Sequence, residues 1–263
     1  MTTSWPVLAS IAVLGLMVGS FLNVIAFRVP RGQSLAVPRT HCTHCAAPTR
    51  LVNNIPVVGW LITRGQCPRC KAPINRRYPL VELGTAALMV AITLRFGVTA
   101  QLPAYLFFAS VAIVLALIDA DQHQLPDTIV LPAYVIGTLL LMPAGAANGT
   151  WFDAARAAIG MAALWCIYAA LQIACPTLVV PGYVKLSGLL GLFLGWLSWG
   201  ALLVGVIIGF IVTVVAAKTF EVVGPKHRSG TLAYAPCMIA GAGGAVFAAA
   251  PVLGIYASMT GLA

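Results

Sequence analysis

Charge is what this sequence has least of. Only 8% of its 263 residues are charged, and just six are acidic. A soluble domain carries roughly 25% charged residues, so a water-soluble globule is excluded. With 60% apolar residues and a mean hydropathy of +0.97, disorder is excluded too. The apolar runs are continuous rather than broken into alternating segments of about 10 residues, which excludes a β-barrel. The opening Met1-Thr2-Thr3-Ser4 carries no side-chain cation, so the first apolar run does not read as a secretory signal. Lys and Arg outnumber Asp and Glu by 15 to 6. No aromatic residues interleave with the basic ones, so no nucleic acid is expected as a partner. The expected partner is a lipid bilayer.

What is present is a series of apolar runs, each near the roughly 20 residues that span a bilayer. They fall at about 5–27, 79–94, 103–118, 128–142 and 154–174, two lie between Lys185 and Lys218, and one follows Thr231. The expected fold is an all-α polytopic membrane protein of about eight transmembrane helices. A polar, basic insertion at 28–78 separates the first helix, 1–27, from the remainder, 79–263. Pro143–Asp153 reads as a linker, and Ser198-Trp199-Gly200 as a turn. With the N-terminus outside, thirteen cations fall on inner loops, among them Lys185, Lys218, Lys226 and Arg228. Only Arg95 and Arg156 fall outside. That asymmetry makes 28–78 cytoplasmic.

The insertion carries Cys42-Thr43-His44-Cys45 and, after 21 residues, Cys67-Pro68-Arg69-Cys70. Two such knuckles supply four thiolates to a tetrahedral zinc ion and complete its shell, which marks a structural site. A cytoplasmic loop is reducing, which disfavours disulfides. His41 and His44 read as exposed neighbours. A polar loop this long has little core, so the metal supplies its folding energy. Cys166, Cys175 and Cys237 read as small core residues.

Half of the six acids lie between Asp119 and Asp127. An ionisable group at a membrane boundary is costly, and Asp119 abuts an apolar run, so it is the functional candidate. Asp121 is two residues away and would not share its helical face. Asp127, after Leu125-Pro126, reads as a helix start with a capping role. Glu82, near a helix start, suits either a site role or simple dipole complementarity. The glycines at 241, 243 and 244 read as close helix packing.

Together these residues resemble the prepilin peptidases, the type IV leader peptidase/N-methyltransferases of bacterial pilus and type II secretion systems. The resemblance rests on Gly19-Ser20-Phe21-Leu22-Asn23-Val24, Arg28-Val29-Pro30, the two Cys knuckles, Asn54-Ile55-Pro56-Val57 and Arg64-Gly65. It continues through Arg77-Tyr78-Pro79-Leu80-Val81-Glu82, Ile118-Asp119 and Leu125-Pro126-Asp127. It implies an aspartic protease in the bacterial inner membrane that cuts the leader from prepilins or pseudopilins at the cytoplasmic face. It also implies N-methylation of the new end from S-adenosylmethionine, with binding residues unknown. Asp119 matches one catalytic aspartate. The other belongs to a Gly-x-Gly-Asp-x-Lys segment, which here reads Val180-Pro181-Gly182-Tyr183-Val184-Lys185. Tyr183 therefore stands where the second aspartate is expected, and Ala235-Pro236 stands where the family has Gly-Pro.

A dyad needs two carboxylates, one activating water and one protonating the carbonyl. A phenol, with a pKa near roughly 10, donates a hydrogen bond at neutral pH but is a poor base there. Neither Glu221 nor Asp127 is expected to stand in. The alternative reading is a catalytically impaired relative that binds prepilins or assembly partners without cutting. A transporter would show midplane charges and paired broken helices, whereas the acids here lie at span ends. The cation asymmetry predicts that a single cysteine near Ala147 labels from outside the cell, whereas one near Gln122 labels only after permeabilisation. The reverse pattern would invert the topology.

Overall fold

The computed structural model describes residues 4–35, 42, 44, 45, 47, 48, 54–149, 151–174, 176, 179–223 and 233–260. His41, Cys175, Lys226 and Arg228 lie outside them, as does the side chain of Glu221. The helices are α1 (Trp5–Arg28), a short α2 (Val58–Ile62), α3 (Arg77–Phe96), α4 (Leu102–Gln122), α5 (Asp127–Asn148), α6 (Trp151–Ala174), α7 (Pro181–Leu197), α8 (Trp199–Val223) and α9 (Ala235–Thr260). Outside the helices, Gln66 and Pro73 form an antiparallel bridge. Six of these helices, α1, α3, α4, α5, α6 and α8, are long and apolar enough to cross a membrane. Against the expected count of about eight spans, six of the described helices thus qualify, and within α9 the apolar stretch Ala235–Ala249 is shorter. α7 is shorter, at 17 residues.

The chain divides into two compact units, residues 1–114 and 115–263. In the first, α1 lies along α3. Gly15 and Gly19 stand four residues apart on one face of α1. A Cβ at Gly19 would lie 2.7 Å from the Cα of Glu82, so only glycine admits this approach. Small residues at this spacing let helix backbones close on one another where lipid supplies no hydrophobic drive. Asn23, buried in the same interface, donates from Nδ2 to the carbonyls of Gly19 and Tyr78. At the end of α1, buried Arg28 donates to the carbonyls of Ser34 and Leu35 and folds the chain back at the start of the insertion.

In the second unit α6 packs on α7 and α8 on α9. Gly191 and Gly195 of α7 face Gly160 of α6, and Gly205 and Gly209 of α8 face Gly241 of α9. The break between α7 and α8 falls at Ser198, within the expected turn. Its Oγ accepts the N–H of Ala201, a side-chain cap for α8. The end of α7 is held from α6. Arg156 donates to the carbonyls of Gly195, Trp196 and Leu197 and pairs with Asp153 at 2.8 Å. A guanidinium at a helix C-terminus satisfies carbonyls that have no partner within the helix.

Two boundaries differ from the sequence reading. α4 runs four residues past Ile118, to Gln122, and stops where His123 takes a left-handed φ of 52°. Asp119 is therefore helical, not part of a loop. α5 continues through Pro143 to Asn148, because Ala144–Ala147 contains good helix formers, and it ends at left-handed Gly149. Of the scattered cysteines, Cys237 is buried, but Cys166 is exposed on α6, a face that suits lipid as well as core.

The Gly241 contact yields a paired prediction. A Cβ there would sit 2.5 Å from the oxygen of Gly205, whereas one at Gly243 would meet nothing within 4 Å. Gly241→Ala should lower the thermal unfolding temperature of the solubilised protein, with overpacking costing about 1–3 kcal/mol. Gly243→Ala should leave it within error or raise it.

Candidate active site and metal centre

Asp119 is fully buried in the last turn of α4, with no exposed surface. A carboxylate there requires hydrogen-bond donors, and it has two. The Tyr183 hydroxyl donates to Oδ1 at 3.1 Å, and the backbone N–H of Ala235 donates to Oδ2 at 2.9 Å. Ala235 opens α9, so its amide is one of the unpaired N–H groups of a helix start, and the positive end of that helix faces the carboxylate. Tyr183 lies in the first turn of α7, whose start is set by Pro181. Asp119 and Tyr183 therefore meet, as a carboxylate and a phenol.

The remaining contacts hold that first turn. Gly182 lies against Leu125, where a Cβ would come within 3.0 Å of the Leu125 Cβ. Lys185 Nζ contacts both carboxylate oxygens of Asp127 at 2.7 Å. The Tyr134 hydroxyl donates to the Lys185 carbonyl. Tyr234, immediately before α9, meets the Tyr183 ring edge-on at 5.4 Å, and its hydroxyl lies 3.1 Å from that of Tyr168. Asp127 does begin α5, as the sequence indicates, but Pro126 occupies the cap position and the Asp127 side chain makes no cap. Its carboxylate goes to Lys185 instead. Asp121 is exposed, on a different face from Asp119.

Sequence reasoning found Asp119 and Tyr183 but not the Ala235 amide. The signal was Ala235-Pro236 at the family's Gly-Pro position, since a backbone donor leaves no side-chain pattern. The tyrosine pair at 168 and 234 had no signal, because aromatics among apolar runs read as core.

In the other unit, the four Sγ atoms of Cys42, Cys45, Cys67 and Cys70 all lie within 4.8 Å of one another. Cys42 and Cys70 are 3.7 Å apart, and Cys45 and Cys67 are 4.0 Å apart. A tetrahedron whose sulfurs sit about 2.3 Å from its centre has edges of about 3.8 Å, so the donor set fits a tetrahedral metal ion. The knuckles are built alike: Cys42 N–H donates to the Ala47 carbonyl at 2.9 Å, and Cys67 N–H to that of Ala72 at 2.8 Å. Backbone N–H groups of Cys70 and Arg69 pull the Cys67 thiol down to about 6. Those of Cys45 and His44 lower Cys42. Both shifts favour the thiolate that binds metal, whereas at Cys70 a backbone hydrogen bond from Ala72 is outweighed by burial and by the contacts with Cys45, Cys67 and Cys42, which push the thiol up to about 11. His44 is exposed.

Glu82, on α3 of the same unit, is buried, and its Oε2 accepts the N–H of Val57 at 2.6 Å. Val57 has a φ of 60°, a backbone state that a β-branched residue rarely takes, and it immediately precedes α2. The carboxylate fixes that strained turn.

Residues 13–96 match the family described as Bacterial Peptidase A24 N-terminal domain. The chain is 36% identical over 224 residues to a prepilin leader peptidase/N-methyltransferase of Myxococcus xanthus (strain DK1622), covering 82% of this chain and 65% of that protein. It is 34% identical over 211 residues to one from Pseudomonas putida, covering 70% and 72% of the two chains. With one from Aeromonas hydrophila it shares 31% over 258 residues, covering 88% and 87%. The chain thus spans about 65% of the Myxococcus relative's length. No solved structure matches.

The cysteine geometry predicts about one tightly held metal ion per purified chain, read by elemental analysis. Cys67→Ser should lower the metal content and raise proteolysis within 28–78, with helical circular dichroism largely kept. A metal-free chain whose four thiols are paired as disulfides would overturn the site.

Proposed function

This chain belongs to the prepilin leader peptidase/N-methyltransferase family, and on that premise we propose that it removes the leader from type IV prepilins or type II secretion pseudopilins and methylates the new N-terminus. The observation that carries the reading is the fully buried Asp119 carboxylate, held between the Tyr183 hydroxyl and the Ala235 amide. A buried ionisable group at the end of a membrane helix is expensive, and its retention points to chemistry.

Asp119 is the base. It takes a proton from the water that attacks the scissile carbonyl carbon. Tyr183, protonated at neutral pH because a phenol titrates near ~10, turns its O–H to the carbonyl oxygen as negative charge develops there. The proton on Asp119 then passes to the leaving nitrogen as the C–N bond breaks, which restores the carboxylate. One carboxylate and one hydrogen-bond donor thus cover the two roles that a pair of carboxylates shares. Asp127 and Lys185 lock the start of α7, so that Tyr183 stays over Asp119.

The cation asymmetry supports a multi-pass placement in the bacterial inner membrane, with residues 28–78 cytoplasmic, the N-terminus outside and 79–263 as the peptidase-bearing part. The metal we assign to Cys42, Cys45, Cys67 and Cys70 is zinc, in a closed structural role, because four thiolates leave no open position. Methylation requires a methyl donor, S-adenosylmethionine in this family, which supplies the methyl group to the new amine. The cavity beside Tyr168, lined by Leu164, Leu190, Leu194 and Met238, is apolar and gives an adenosine little to bond. No residue is assigned to hold the donor.

A relative that holds prepilins without cutting gains no support from the comparisons, whose members are named for both activities. The test is leader cleavage of a prepilin by the reconstituted chain. Asp119→Asn should abolish it, because no other base remains. Tyr183→Phe should slow it by about 10²–10³-fold, the usual loss for one oxyanion donor. Tyr183→Asp should speed it by supplying a stronger acid. A Tyr183→Phe chain as fast as the parent would remove the phenol from the mechanism. A parent chain that leaves prepilin uncut while Tyr183→Asp cuts it would replace this reading with the non-cutting one.

A further inference from the structure

The insertion carries an apolar face that its own fold does not use. In α2, Val58, Leu61 and Ile62 fall at i, i+3 and i+4, one side of a helix. They are 45%, 60% and 59% exposed. Ile55, just before the helix, is 47% exposed. The opposite side is committed inward. Gly59 is buried, and the Trp60 indole N–H donates to the Ile74 carbonyl at 3.2 Å with its ring against Gly65. A helix this short does not leave three large aliphatic side chains in water without cost; burying each is worth about 1.5–3 kcal/mol.

Three observations identify what covers this face. The first is depth. Val57, the residue before α2, donates its N–H to Glu82, five residues into α3. At 1.5 Å per residue that is about 7.5 Å along the helix from Arg77. α2 is therefore tied beside a transmembrane helix at the level of its second turn, not held above it. The second is continuity. At the same level α3 exposes Leu80 and Leu83, on a helix long and apolar enough to cross the membrane. The third is charge. Residues 28–78 contain nine Lys and Arg and no Asp or Glu. Arg64, Arg69, Lys71 and Arg76 are exposed around α2 and the second knuckle.

We propose that α2 is an interfacial anchor: Ile55, Val58, Leu61 and Ile62 enter the acyl region of the leaflet facing the insertion, and the surrounding cations engage its anionic headgroups. An apolar face flanked by basic residues binds a bilayer through both terms, and each cation near an anionic surface adds about 1 kcal/mol. The insertion is thereby held flat against the membrane rather than free on its two tethers. The anchor does not depend on the peptidase reading, since it uses only the membrane placement of α1 and α3.

The test uses the full chain in nanodiscs that contain phosphatidylcholine with a diazirine on its acyl chain. After photolysis, peptide mapping should find lipid adducts on residues 54–64 as well as on the control span 79–94. Leu61→Ser/Ile62→Ser should lose the 54–64 adducts several-fold while keeping those of 79–94 and the metal content. Adding phosphatidylglycerol should raise 54–64 labelling relative to phosphatidylcholine alone, and high salt should reverse that gain. Adducts on 79–94 with none on 54–64 would overturn the proposal. So would cross-links joining 54–64 to residues 115–263, which would make the face an internal contact. Labelling indifferent to phosphatidylglycerol would overturn the headgroup part.

Discussion

A carboxylate without solvent exposure dictates much of the second unit. Asp119 sits where burial of an unpaired charge would cost several kcal/mol, so the chain must bring donors to it. The two it brings come from two separate helix starts, α7 through the Tyr183 hydroxyl and α9 through the Ala235 amide. Helix starts suit this task because their N–H groups have no partner within the helix. α7 and α9 are consequently pinned at their first turns to the last turn of α4. Their remaining lengths close through glycine contacts with α6 and α8, and Arg156 of α6 holds the far end of α7. Polar groups decide where the helices begin, and small residues decide how closely they run.

The insertion in the first unit follows a parallel logic with different groups. It lacks the mass for a core, and among its described residues the buried ones are few: Arg28, Gly59, Gly65 and Cys67. Its contacts gather at the four-cysteine cluster at one end and at Glu82 at the other. Glu82 belongs to α3, so a membrane helix, not the insertion, stabilises the strained φ at Val57. Asn23 joins α1 to α3 at Tyr78, one turn before Glu82. The motifs that look scattered in the sequence, Gly19 to Asn23, Asn54 to Val57 and Tyr78 to Glu82, are therefore one cluster. Close approach of α1 and α3 lets Glu82 and Asn23 reach across.

The bundle was legible because its signal is bulk hydrophobicity, which needs no tertiary information. The four-cysteine cluster was legible because a knuckle is local in sequence and two of them suffice. Asp119 was legible because an acid abutting an apolar run is conspicuous. The helical state of Asp119 was not, since a polar run after an apolar one reads as a loop, and the end of α4 depends on His123 adopting a left-handed turn. The Asp127 to Lys185 pair escaped for another reason. Fifty-eight residues separate the partners, and each alone fits a blander role, a helix start for Asp127 and an inner-loop cation for Lys185. The face of α2 was hidden because three aliphatics in a short stretch of a basic insertion form no pattern of their own until Gly59 and Trp60 are seen to occupy the inside.

Replacing a carboxylate by a phenol at position 183 changes the electrostatics of the site as well as its acidity. Two carboxylates sharing a buried site repel, so one must hold a proton that its own pKa would not keep in water. The protonated partner then donates to the substrate carbonyl. A phenol holds its proton at neutral pH with no such help, and the Tyr183 hydroxyl already donates to Asp119. The donor is therefore present without the repulsion of a second carboxylate. What is given up is acid strength. A phenol supports a developing oxyanion by hydrogen bonding but transfers its proton less readily than a carboxylic acid does. In the mechanism we propose, the base role and the return of the proton to the leaving nitrogen both fall to Asp119. On that proposal one carboxylate carries the proton traffic that two would divide, and the surrounding contacts suit that division. Those of Lys185, Asp127, Leu125 and Tyr134 orient the donor, while the first amide of α9 steadies the base.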